Sequence, residues 1–436
     1  MNVPTLLHRN QATLKLLFIA MLSLAMLIPL MMVRSIISER LDMQMAARQT
    51  IADRWGGTQH ISGLVALVQV LTKESRARGM EMRTEWQASV LSELNLDAGL
   101  TTEWRNLGIY ELPVYTARIT VSGRIDWSAI NALQPTGDLL FWLPLSDVRG
   151  VREVSALQLE NLELTAEPLG VEAIAAHGLQ FTLPGDERKR LSEMKQTNYQ
   201  LELVLAGSNC LLFLPLADTS RINLRADWPH PEFVGQFLPF ERSIGQQTTA
   251  SWKLLGLNRP FGNQWLVTDL PMQQIKMSGF GMRLETPVDV YQRSERAVKY
   301  GFLFISLTFF TLFLFEVTTA RPLHPVPYVL TGAALAVFYL VLLALSEYLS
   351  FSTAFATAAG LLVLIVTPYT AVVLGRRRHG LLIGLMMGLT YGLLYVLVSA
   401  EHAALLLGSL SLLTAIASLM YLTRKIDWYA YGSVKR

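Results

Sequence analysis

LLFIAMLSLAMLIPLMMV, residues 16–33, is an apolar run without a single charge. Eighteen helical residues rise about 27 Å, close to the hydrocarbon thickness of a bilayer. Arg9 and Lys15 precede the run and Arg34 closes it. A cleaved signal peptide is the rival reading, but its apolar region is about 7–15 residues long and ends in a small-x-small site. This run ends Met31-Met32-Val33-Arg34, so a retained anchor is expected. Pro29 falls near its outer end, where a lost backbone hydrogen bond is tolerable.

Five more runs crowd the last third of the chain, at 300–320, 328–346, 351–374, 380–400 and 403–422. Each is long enough to span, and only the first contains a charge, Glu316. Six spans put both termini on one side of the membrane. On that side fall Arg9, Lys15, Arg321, Arg376, Arg377, Arg378, Arg424, Lys425, Lys435 and Arg436, whereas the opposite short loops, 347–350 and 401–402, carry no Lys or Arg. Positive charge is retained on the cytoplasmic face. Both termini are therefore expected in the cytoplasm and residues 35–299 outside it, which in a bacterium is the periplasm. Only 16% of the chain is charged and the net charge is +3, too small and scattered for a nucleic-acid footprint. Membrane lipids are the first partner implied.

Residues 35–299 read mainly as β. In 113–127, Ala117, Ile119 and Val121 alternate with Arg118, Thr120 and Ser122. Leu201, Leu203 and Leu205 repeat the pattern, Ala206-Gly207-Ser208-Asn209 reads as a turn, and 210–216 as a return strand. Ile222, Leu224 and Ala226 then alternate with Asn223, Arg225 and Asp227. Successive strands with short turns predict an antiparallel meander. The segments 141–145 and 264–268 extend it, and 184–196 is helix-prone or loop. Residues 35–55 predict a helical stalk ended by Gly56-Gly57, and Thr286-Pro287 resembles the start of a second. The expected fold is an α-helical multi-pass membrane protein of six transmembrane helices. A large, mainly antiparallel β exported domain is inserted between helices 1 and 2. The divisions are 1–34, 35–299 and 300–436.

Chemistry-bearing residues are sparse. Cys210 is the only cysteine and reads as a small buried residue; neither a metal nor a cofactor is expected. Glu316, Glu347 and Glu401 lie near span ends. A carboxylate in a membrane segment is a functional candidate by default, yet at a hydrated boundary it is cheap to keep. Local pairing of Glu316 with Arg321 or His324 is the plainer expectation. Gly384, Gly388 and Gly392 predict a close helix-packing face. Trp228-Pro229-His230-Pro231 is the most unusual exported segment. Its prolines restrict the backbone, and Trp228 with Phe233 supplies large apolar area. It reads as a rigid corner that packs the domain, or as a partner-binding loop. Catalysis by His230 is the weakest option, because no nucleophile with a matching base is identifiable.

These residues also carry a family resemblance. Trp228-Pro229-His230-Pro231-Glu232-Phe233, Gly235 and Phe237-Leu238-Pro239 resemble the WPHPSFxGxFLP segment of the CreD family of inner-membrane proteins. Arg296-Ala297-Val298-Lys299-Tyr300, Phe315-Glu316, Leu323-His324-Pro325, Leu345-Ser346-Glu347 and Asp427-Trp428-Tyr429 continue it in order, from about Trp55 to Tyr429. Ser62-Gly63-Leu64 departs from the family's Gly-Pro after the double glycine, and Tyr348 follows Glu347 where His or Gln is usual.

The resemblance implies a role in cell-envelope integrity, within the output of a two-component system answering envelope stress, and supplies no molecular activity. The leading expectation is a non-enzymatic envelope-stress protein acting through its periplasmic domain on an envelope protein or cell-wall component. A transporter or exporter subunit using membrane carboxylates is the alternative, and a periplasmic enzyme the third. Trp228, His230, Phe233, Glu316, His324 and Glu347 are the candidate partner-binding or functional residues.

Overall fold

The computed structural model describes residues 11–76, 79–171, 174, 177–286, 289–319, 323–400 and 404–424. The chain divides into two compact units, one of Met45–Thr286 and one of Met1–Gln44 with Pro287–Arg436.

The second unit is helical. Its elements are α1 (Gln11–Ala25), α2 (Leu27–Trp55, which continues into the other unit), α3 (Val290–Thr319), α4 (Pro325–Ser346), α5 (Phe351–Val373), α6 (Arg377–Ser399) and α7 (Ala404–Thr423). Pro29 explains the break between α1 and α2: its ring clashes with the carbonyl of residue 25 and its nitrogen cannot donate to it. Among the described residues, five helices are long and apolar enough to cross a membrane: Leu14–Trp55, Val290–Val317, Pro325–Ser346, Phe351–Val373 and Arg377–Ser399. The helix start expected at Thr286-Pro287 falls partly outside the described residues, as do Arg321, Glu401 and the tail beyond Arg424.

The glycine face of α6 differs from expectation. A Cβ at Gly380 would lie 2.3–2.7 Å from Ala371 of α5, and one at Gly384 would lie 2.2 Å from Thr367 Oγ1, so these two positions are tightly packed. Gly388 and Gly392 meet nothing within 4 Å. They line an open apolar groove of about 660 Å³ with Ala356, Ala359 and Gly360 of α5. The helices touch closely over only one end of the stripe, and small residues further along leave space.

The other unit is mainly antiparallel β, as expected. Its strands are β1 (Gln59–Ser62), β2 (Val65–Arg76), β3 (Gly79–Leu107), β4 (Tyr110–Asp126), β5 (Thr136–Pro144), β6 (Val151–Val154), β7 (Leu157–Leu159), β8 (Leu162–Leu164) and β9 (Ala166–Pro168). They continue with β10 (Gly178–Leu183), β11 (Gln196–Ser208), β12 (Cys210–Leu214), β13 (Ala217–Ala226), β14 (Pro231–Gly235), β15 (Glu241–Ser243), β16 (Thr248–Leu255), β17 (Gln264–Leu266) and β18 (Phe280–Leu284). The long strand β3 joins two halves of one large sheet: its first part pairs with β2, and its second with β4 and, in parallel, with β13. The alternation read in β4, β11 and β13 holds. Ala117, Ile119, Val121, Leu201, Leu203, Leu205, Ile222, Leu224 and Ala226 are all buried in one core. Each large side chain so buried contributes about 1.5–3 kcal/mol.

The meander does not hold. β11 runs straight through Ala206 to Ser208, and β12 does not fold back on it. Asn209, at φ 65°, turns the chain into a separate four-stranded sheet of order β1-β12-β18-β14, where β12 pairs in parallel with β1 and antiparallel with β18. Asn tolerates this left-handed conformation better than other side chains. Gly207 leaves room beside it for the buried ring of Tyr115, whose hydroxyl donates to the Cys210 carbonyl (2.8 Å). Gly56, at φ 135°, ends α2 where a Cβ would meet the Ala206 carbonyl at 2.5 Å. Gly185–Ser192 within the helix-prone segment is a short helix.

Candidate functional site

In the helical unit the structure gathers charges from distant parts of the chain. Glu316, on α3, is fully buried rather than boundary-exposed. Its carboxylate pairs with the Lys15 ammonium of α1 and accepts from the Tyr328 hydroxyl of α4 (2.9 Å). Lys15 also donates to the Leu323 carbonyl (2.7 Å) and lies 6.0 Å from the centre of the Tyr328 ring. To the local pairing expected from sequence the structure adds a long-range one, because α1 packs its one cation beside the carboxylate, and a buried charge is tolerable only with a partner and hydrogen bonds. Arg321 lies outside the described residues. His324 is exposed, and its Nδ1 caps α4 by accepting from Val326 N (3.4 Å).

Glu347, just past the end of α4, takes part in a second tie. Arg40 Nε of α2 lies 3.4 Å from its carboxylate, and the Tyr291 hydroxyl of α3 donates to it (3.3 Å). Twenty-five residues separate Lys15 from Arg40, and twenty-five separate Tyr291 from Glu316. Each interval rises about 38 Å, slightly more than a hydrocarbon core of about 30 Å. The two polar ties therefore bracket the apolar length of the same helices.

In the β unit, Trp228 is buried and forms a rigid corner. Its Nε1 donates to the carbonyls of His230 (3.0 Å) and Glu285 (3.2 Å), while its own carbonyl accepts from Thr248 Oγ1 (2.8 Å). Phe233, half-buried on β14, meets the Trp252 ring edge-on at 5.9 Å. His230 is exposed. Sequence reasoning missed Trp104: it is 48% exposed and rests on Trp228 with ring centres 5.6 Å apart. Its signal was present, since Trp104 stands three residues before the Leu107-Gly108-Ile109-Tyr110 hairpin turn and a large aromatic there has little local reason to be exposed. Lys15 was likewise read only for its sign.

Other groups explain themselves structurally. Cys210 is buried, and burial pushes its thiol up. Arg149 holds the Asp147 carboxyl below its usual range in a two-pronged ion pair. Among the described residues no group of His, Cys, Asp and Glu is arranged to hold a metal ion.

Residues 11–429 match the family described as "Inner membrane protein CreD". The chain is 32% identical over 429 residues to the "Inner membrane protein CreD" of Escherichia coli (strain K12), covering 94% of this chain and 92% of that protein.

Proposed function

Because the chain belongs to the CreD family of inner membrane proteins, we propose that this multi-pass protein maintains envelope integrity under stress by binding, without catalysis, through an exported β unit. In this reading α7 supplies a sixth span, both termini are cytoplasmic, and residues 35–299 lie in the periplasm. The basic residues grouped at one set of span ends support that orientation. The partner is an envelope protein or cell-wall component.

The observation that carries the binding reading is the Trp104–Trp228 pair. A buried Trp fixed by three hydrogen bonds supports a half-exposed one, with exposed His230 beside it. Binding hot spots are enriched in tryptophan. The test is rescue of a deletion strain under envelope stress, scored by dye permeability and β-lactam survival. Full-length chains carrying Trp104→Ala or His230→Ala should be present at normal levels yet rescue poorly. Normal rescue by both removes the loop from the reading.

One observation favours the transporter alternative: a carboxylate at zero exposure inside a helix bundle. Flux should then fail in Glu316→Gln and Glu347→Gln chains present at normal levels. Unchanged flux would leave both polar ties as structural fastenings.

A further inference from the structure

We propose that the outer face of strands β3, β4, β11 and β7 is a binding site for a neutral oligosaccharide. The proposal rests on the reading of the β unit as a binding module and names the class of ligand. Register sets out the face. Lys253, Arg221, Asn95, Ser122, Gln200 and Gln158 stand side by side across six strands. Flanking them on one side, Glu93, Arg124 and Asn198 form the next row; on the other, Asn223, Asp97, Thr120 and Glu202 do the same.

The face is concave where it is richest in amides. A cleft of about 440 Å³ is lined by Glu93, Asn95, Arg124, Gln158, Asn198 and Gln200. Its floor is drawn in at Gly123, where a Cβ would lie 2.0 Å from the Glu93 carbonyl. From the core side, the Tyr199 hydroxyl donates to that same carbonyl (3.0 Å). A missing side chain and a hydrogen bond, both on the core side of the sheet, therefore draw the strands together beneath the depression.

Its charge selects the ligand. The central carboxylate, Glu93, pairs with Arg221 (2.6 Å) and Arg124 (3.2 Å), and a second carboxylate, Glu160, lines the same cleft, so two negative charges offset the two guanidiniums and no net positive field remains for an anion. The lining is too polar for an apolar molecule. Among the described residues, the side-chain amides of Asn95, Gln158, Asn198 and Gln200 make no intramolecular hydrogen bond, and each offers both donors and an acceptor. Sugar hydroxyls have the same dual character. Neighbouring strands lie about 4.8 Å apart, so the amides recur at roughly the scale of one sugar ring.

A solvated sheet face is polar in any case. This one goes further, because Asn and Asp are depleted from strands, yet Asn95, Asp97, Asn198 and Asn223 occupy strand positions around one depression. Local rules broken together at one place are a mark of function.

The test is titration of the full-length chain, in lipid nanodiscs, with N-acetylchitotetraose and with maltotetraose. Saturable binding of at least one probe in the sub-millimolar range is expected. Asn95→Ala combined with Gln200→Ala should weaken it at least tenfold; Gln158→Ala with Asn198→Ala is a second pair, should the first not fold. Unchanged thermal unfolding of the variant confirms an intact fold. Failure of both sugars to bind, or binding indifferent to either folded pair, overturns the proposal. If sugars fail but Trp104→Ala still abolishes rescue, the binding-module reading stands and the glycan is removed. If rescue is also unaffected, both fall.

Discussion

Replacing Lys15 by Met takes an ammonium away from the buried Glu316 carboxylate. Glu316 is 1% exposed at its side chain and Lys15 19%, so neither charge regains much water when its partner is lost. Removing one member of a buried pair costs about 3–5 kcal/mol, chiefly because the other is left uncompensated. Glu316→Gln should cost a similar amount by stranding the ammonium, although Gln can still accept from Tyr328. The double variant has no stranded charge and loses mainly the bond to the Leu323 carbonyl, so it should cost only about 1–3 kcal/mol. The singles are thus expected to overshoot the double by at least about 3 kcal/mol. The assay is SDS-driven unfolding of the full chain in mixed micelles. Eight of the nine tryptophans fall within residues 45–286, so indole fluorescence reports the β unit and far-ultraviolet helical dichroism the membrane unit. The cycle is read from the dichroism, with fluorescence as an internal control. Additivity within about 0.5 kcal/mol would show that the two charges do not depend on one another, and the argument from burial would fail.

Trp228→Ala should destabilise the β unit by about 3–5 kcal/mol in urea unfolding, whereas exposed His230→Ala should stay within about 0.5 kcal/mol. Gly380→Ala drives a Cβ into the backbone of Ala371 and should lower the melting temperature of the membrane unit, while Gly388→Ala, with open space before it, should be neutral or gain up to about 1 kcal/mol in helix propensity. His60 provides a pH test: burial, and secondarily Lys276, hold its imidazole below its ordinary value of 6.5. The unfolded chain therefore takes up the proton first as pH falls, and His60's contribution is complete above about 6.5 and lost as pH falls through the folded value. His60→Gln should flatten the urea midpoint of the β unit between about pH 7.5 and 5.5; an unaltered slope would show that another group titrates.

The long apolar runs were legible because hydropathy and length act locally: a residue's cost in lipid does not depend on which helix it meets. Strand alternation in β4, β11 and β13 was legible for the same reason, since a two-residue period assigns faces before any partner is known. The Trp228 corner could be picked out by composition. Partner choice was not legible. Nothing local says that β12 pairs with β1 and β18 instead of β11; one left-handed residue, Asn209, redirects the strand, and the gain is realised only when the distant strands arrive. Trp104 acquires meaning only against Trp228, and the amide cleft only when β3, β4, β11 and β7 come into register. Glu316 shows the division most plainly. Its presence in an apolar run is written in the chain, but its burial is made tolerable by Lys15, 301 residues away. Burial and pairing are properties of what surrounds a residue, and those surroundings exist only once the helices have packed.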